Sequence, residues 1–205
     1  MASQPALRSL LRETVLPALS DVGFCANRSG DLVRIQGTAI SLISLQKHSS
    51  KSAFAINLCA HYTFLFSPQT LAESNFSEVS PEACEIRARL TTGDFEVDHW
   101  WPAERGSFES LRSLRDRIII FLDRYLESGE ISRVRPSDLT SAYPDVLNPM
   151  SRARALLLLS KLNGHLGRSS LACQFAELAL AEGGHGRVLS PQFRDIVVRY
   201  GSRDG

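Results

Sequence analysis

Cysteine is scarce and poorly spaced for chemistry. The four present, Cys25, Cys59, Cys84 and Cys173, are scattered and include no C-x-x-C, which excludes a zinc ribbon and a thioredoxin-type motif and leaves buried free thiols as the expectation. Charge of one sign is lacking as well. With 23 basic and 22 acidic residues, a net of +1, no global field draws the chain to nucleic acid or to an anionic membrane, and neither is expected as a partner. Long apolar runs are missing. The start, "MASQPALRSLLRETVLPALS", is broken by arginines and a glutamate, unlike a signal peptide, and "IIIFL" at Ile118 to Leu122 is too short to span a bilayer. A soluble, cytoplasmic protein is expected. Lysine is rare, three against twenty arginines, a bias that reads as the codon usage of a GC-rich bacterial genome.

The phosphate-cradling and hydrolytic motifs are also absent: no G-x-x-x-x-G-K-[ST], no G-x-G-x-x-G after a strand, no H-E-x-x-H, no G-x-S-x-G. "AEGGHGR" is glycine-rich but follows a helical pattern, so it reads as a loop. No cofactor and no resident metal are expected, and the chain reads as a non-catalytic protein more readily than as an enzyme.

What is present is enough for a core: 205 residues, 43% of them apolar, suit one domain plus a small appendage. Leu7, Leu10, Leu11, Thr14, Val15, Ala18, Leu19 and Val22 recur at helical steps, with Pro17 expected to kink the helix and Gly23 to end it. The period then changes to two. "DLVRI", "TAISLISLQ", "SAFAINLCAHY", "ACEIRARL" and "DFEVDHW" read as strands, with "KHSSKS" as a hairpin loop. Phe54, Ile56, Leu58 and Ala60 share one face of the third, and Asn57, Cys59 and His61 the other. The face switch from Ile40 and Leu42 to Ile43 and Leu45 predicts either a bulge or a strand covered on both sides. From Phe108 a helical stripe runs through Leu111, Leu114, Ile118, Phe121, Leu122 and Tyr125, with Ser107 as the expected N-cap and Gly129 as the stop.

The expected class is therefore α+β: an antiparallel sheet of about five strands with helices on one face, over residues 1–130. Residues 131–149, with three prolines, read as a connecting segment. Residues 150–205 are expected to form a helical hairpin or small helical subdomain, "SRARALLLLSKLNGHL", "SLACQFAELALAEGG" and a short third helix, "SPQFRDIVVRY". The pair resembles a degenerate tetratricopeptide repeat through Leu159, Gly167, Ala172, Ala179 and Leu180. It departs from that family where Ala176 stands in place of a large aromatic, with Phe175 one position away. A lone repeat cannot bury its own face, so docking on the sheet domain or a partner, including self-association through these helices, is expected.

The segment "IRARLTTGDFEVDHWW", Ile86 to Trp101, concentrates the charged and aromatic residues. A turn at Thr92 and Gly93 sets Arg89 against Glu96, Arg87 against Asp98 and Ile86 against His99, a ladder of opposite charges whose pairs contribute roughly 0.2–1 kcal/mol each. Asp94, Glu96 and Asp98 share a strand face, but the adjacent arginines argue against a divalent cation there. His99 falls on the apolar face as a structural histidine. A catalytic role for it needs a partner such as His61, Cys59 or Cys84 within hydrogen-bond reach. Trp100 and Trp101 point to opposite faces, one into the core and one outward as an anchor. The candidate binding residues are Arg87, Arg89, Asp94, Glu96, Asp98, His99, Trp100 and Trp101.

"LPALSDVGF", "ISLQKHSSKSAFAINLCAHY" and "CEIRARLTTGDFEVDHWW" together resemble the bacterial family catalogued as domain of unknown function 4304, over about Leu7 to Leu126. The sequence departs from that pattern at "QKHSS", where a histidine intervenes. The resemblance implies an α+β domain and no established activity, so it supplies no catalytic residues. Two functions from different classes follow as expectations. One is a protein-interaction module, in its concrete form an immunity-type protein that neutralises a bacterial toxin. The other is a sensor of a small molecule or anion, using Arg87 and Arg89 with Asn57 and Lys47 nearby; an enzyme built on His99 or the acidic triplet ranks below both.

Overall fold

Pro17 shapes how the chain begins. The computed structural model describes residues 3–65, 79–91, 99–142, 146–147, 150–183 and 186–201. Helix α1, Gln4–Leu10, is capped by the Ser3 side chain, which accepts from Ala6 N–H. It passes into a π turn, Leu11–Val15, closed by the bond from Leu16 N–H to Leu11 C=O. A proline ring crowds the carbonyl four residues back and offers no N–H. The helix therefore widens ahead of Pro17 and continues as two 3₁₀ turns, Leu16–Ala18 and Ser20–Val22, ending at Gly23 with φ 90°. The kink and stop expected from the sequence take this form.

The sheet is antiparallel, in the order β1 (Cys25–Ala26), β2 (Leu32–Gln36), β3 (Ala39–Lys47), β4 (Ala53–Tyr62), β5 (Ile86–Arg89), with β6 (Trp101–Pro102) also on β4. β3 pairs with β4 residue for residue from Ala39↔Tyr62 to Lys47↔Phe54. The face switch within β3 is thus no bulge: the strand is covered on both sides. One face carries Leu32, Ile43, Leu45, Phe54, Ile56 and Leu58 against Leu7, Leu11, Val15, Leu19, Phe108, Leu111, Ile118 and Leu122 of the helical segments. The other carries Val33, Ile40, Leu42 and Cys59 beneath Val79 and Cys84. The fold is α+β, and within residues 1–123 the helical segments 4–22 and 105–123 lie on one sheet face.

The second helical stripe is not one helix. It is α2 (Arg105–Ser113) and α3 (Arg115–Asp123), broken at Leu114 with φ −90° and ψ 10°. The N-cap is Glu104, and Ser107 sits buried within the first turn of α2. The break lets α2 stack Phe108 on Phe54, ring centroids 4.6 Å apart, while Arg115 at the start of α3 donates to Ala18 C=O and to Asp21. Gly129 precedes a 3₁₀ turn, Glu130–Arg133, instead of closing a long helix. At the end of α3, Asp123 accepts from Arg34 at 2.6 Å. Arg34 is itself buried in β2 and lies 5.1 Å from the Phe24 ring centroid.

The chain divides into two compact units, Met1–Asp123 and Arg124–Gly205. The second holds a short helix α4 (Leu139–Ala142), then α5 (Arg152–His165), α6 (Ser169–Glu182) and α7 (Gly186–Gly201). α7 begins earlier than the sequence suggests and runs through Pro191. It packs its buried Phe193 and Ile196 on the pair, and Tyr200 lies against Gly164 so closely that a Cβ there would stand 2.6 Å from the Tyr200 hydroxyl. A third helix thus packs on the pair within the unit. Among the described residues, no helix is long and apolar enough to cross a membrane.

Candidate functional site

β4 has ten residues, and β5 pairs with only Asn57 to Ala60 of its outer edge. Backbone groups left at the start of β4 need partners. They find them in β6, where Trp101 stands beside Phe54 and Pro102 beside Ala53, and Ala103 N–H donates to Ser52 C=O. β5 and β6 therefore lie end to end along one edge of β4.

This arrangement corrects the expected hairpin register. Ile86 is beside Ala60 and Trp101 beside Phe54, six residues farther along β4, a separation of roughly 20 Å. His99, two residues before Trp101, spans about 7 Å at most. It is therefore not across from Ile86. The turn at Thr92 and Gly93 and the carboxylates Asp94, Glu96 and Asp98 lie outside the described residues.

The correction brings different residues together. Trp100, half-buried, meets two side chains, one from β5 and one from the β3–β4 loop: the Arg89 guanidinium is 4.8 Å from its ring centroid, and the His48 ring meets it edge-on at 4.5 Å. Arg89 also donates to Gln46 Oε1 at 2.9 Å. His48 is fixed from the other side, because its Nδ1 accepts from the N–H groups of Ser50 and Lys51, both at 3.1 Å. The histidine that interrupts "QKSS"-like spacing thus caps the β3–β4 loop and supports Trp100. Cation–π contacts of this kind contribute about 0.5–1 kcal/mol where solvent reaches them.

Trp101 points inward and is buried, with His99 edge-on to its ring at 4.6 Å. The two tryptophans divide as the alternation predicts. Arg87 is exposed on β5, two residues from Arg89 and on the same face. Of the candidate residues, Arg89 with Trp100 and His99 with Trp101 are in contact. Gln46 and His48 belong to the same cluster but stand in β3 and its loop, some forty residues away in sequence. Only the sheet pairing could have joined them.

Cys59, Cys84 and His61 stand apart from this cluster. Cys84 and Cys59 hydrogen-bond, and that bond together with burial pushes the Cys84 thiol far above its ordinary range. A thiol held protonated is a poor nucleophile. His61 Nδ1 is paired with Glu85 Oε2. Among the described residues, no cluster of three or more histidine, cysteine or carboxylate groups is placed to hold a metal ion. No protein-family model matches the chain, and no curated protein and no solved structure is significantly similar to it.

Proposed function

We propose that this chain is a non-catalytic protein-interaction module that docks its partner on the Trp100–Arg89 surface. The observation that carries the proposal is the clamped tryptophan, a large ring held half-exposed between Arg89 and His48. Tryptophan and arginine dominate binding hot spots, and a side chain already fixed in place loses little conformational entropy when a partner covers it. Arg87 stands two residues from Arg89 on the same strand and Lys51 on the loop that His48 caps, so the partner offers a carboxylate-bearing rim around an apolar socket. A bacterial toxin is the partner class included in this reading, and the resemblance of Leu7 to Leu126 to domain of unknown function 4304 belongs to the same proposal.

The test is affinity capture from the native host with wild-type protein and with Trp100→Ala and Arg89→Ala variants of matched circular dichroism. A stoichiometric partner retained by wild type and reduced at least about tenfold by each variant, as hot-spot truncations of 1.4 kcal/mol or more require, is the expected result. Equal recovery by all three proteins contradicts the proposal.

A further inference from the structure

Cys59 and Cys84 are far apart in the sequence and meet only in the folded sheet. Cys59 lies on β4 beside Arg87 of β5. Cys84 stands three residues before Arg87, just after the 3₁₀ turn Pro81–Ala83, where it packs with Val79 against Val33, Ile40, Leu42 and Cys59. The two thiols, 0% and 3% exposed, hydrogen-bond to each other. We propose that Cys59 and Cys84 are a reversible redox pair, converted to a disulfide by a hydroperoxide, which fastens the segment leading into β5 onto β4.

The pairing of the two side chains carries the argument. Cys84 Sγ donates to Ser80 C=O at 3.5 Å, which commits its single proton. The bond between the thiols is then donated by Cys59, and a lone pair of the Cys84 sulfur faces the Cys59 sulfur. Side chains that already converge meet the first geometric demand of a disulfide. The other two cysteines are placed differently: Cys25 Sγ donates to Val33 C=O at 3.6 Å, and Cys173 Sγ, in the C-terminal unit, to Glu177 Oε1 at 3.4 Å.

The closed pair is inert, because burial and the Cys59 bond hold Cys84 protonated. Reaction proceeds through opening of residues 79–84. Ser80, Glu82 and Ala83 are exposed, and the turn closes on itself, Ala83 N–H donating to Ser80 C=O and Cys84 N–H to Pro81 C=O. A segment anchored by so few buried side chains opens at lower cost than the strands beneath it. In the open segment Cys84 sheds both restraints, while Arg87 favours its thiolate. The thiolate attacks the hydroperoxide: an S–O bond forms, the O–O bond breaks, and the leaving oxygen takes a proton and departs as alcohol or water. Cys84 then holds a sulfenic acid. On reclosure the Cys59 sulfur displaces its hydroxyl, the S–S bond forms as the S–O bond breaks, and the Cys59 proton leaves with the hydroxyl as water. Two thiols lose two electrons and one hydroperoxide gains them. The disulfide closes a loop of about 25 residues, which stabilises the fold by restricting the unfolded chain. The pair does not use Trp100, so its success or failure is independent of the docking surface.

The experiment uses the full chain with Cys25→Ser and Cys173→Ser, which leaves only the core thiols, treated with excess hydrogen peroxide after removal of reductant. Peptide mapping without reduction is expected to find Cys59 joined to Cys84, with the intact mass lower by two hydrogens. Tm is expected to rise by about 5 °C or more and to return to its starting value with dithiothreitol. Adding Cys59→Ala removes the resolving thiol, so Cys84 is expected to stop at a sulfenic acid that dimedone traps, with no rise in Tm. Both thiols still free after prolonged peroxide, oxidation of Cys84 to sulfinic acid while Cys59 is present, or a linked form that melts no higher than the thiol form overturns the proposal.

Discussion

Trp100 and Trp101 are neighbours in the chain with opposite duties. Trp101 lies in the core, and its indole N–H has no hydrogen-bond partner among the described residues. Trp101→Ala is therefore expected to cost about 3–5 kcal/mol, as for other buried aromatics. Trp101→Phe, which discards only the unsatisfied N–H and part of the ring, is expected to cost less than about 1.5 kcal/mol. Urea unfolding of the two variants checks the pair. A second residue-scale expectation concerns His48. His48→Ala removes the acceptor of two loop N–H groups and is expected to cost about 1 kcal/mol, with His48→Asn recovering part of it, as the same unfolding measurement reads. Alternation along "HWW" was enough to foresee one ring inside and one outside. It could not assign the outward ring's neighbours, because Arg89 and His48 meet at Trp100 only through strands paired far along the chain.

At the scale of elements, β2, β3 and β4 were legible because each buries a face and the period of two shows it. The charged segment was not, for a physical reason. Opposite charges tolerate several registers, and what decides its return is the unpaired start of β4, a feature of the assembled sheet. The break at Leu114 was hidden likewise, since two short helices at an angle preserve nearly the same apolar stripe as one long helix. The third C-terminal helix was visible only as a fragment, and it packs on the helical pair within the same unit. Its closeness is testable at Gly164, which Tyr200 approaches without room for a methyl group. Gly164→Ala is expected to destabilise by about 1–3 kcal/mol despite its better helix propensity. Adding Tyr200→Ala is expected to relieve most of that increment, so that a double-mutant cycle in urea reports a coupling between the two positions.

For the molecule as a whole, near-neutral charge leaves recognition to local surfaces, and the pH response is set by particular buried groups. Burial pushes the Tyr125 phenol up to about 12 from its ordinary 10. The folded protein then holds a proton that the unfolded chain gives up between those values, so this contribution is complete below pH 10 and is lost as pH rises toward 12. At full effect it amounts to about 3 kcal/mol, and wild type is expected to lose urea stability relative to Tyr125→Phe across that interval, because only the tyrosine has a charged form for burial to penalise. The two units, each with its own buried residues, give such measurements separate reporters. The central claim is that the Trp100–Arg89 surface is where another protein binds. Hydrogen-exchange mass spectrometry of the captured complex against the free protein tests it most directly. New protection concentrated at residues 46–52, 86–91 and 99–103 is the predicted result; protection confined to the C-terminal helices, with those segments unchanged, contradicts it.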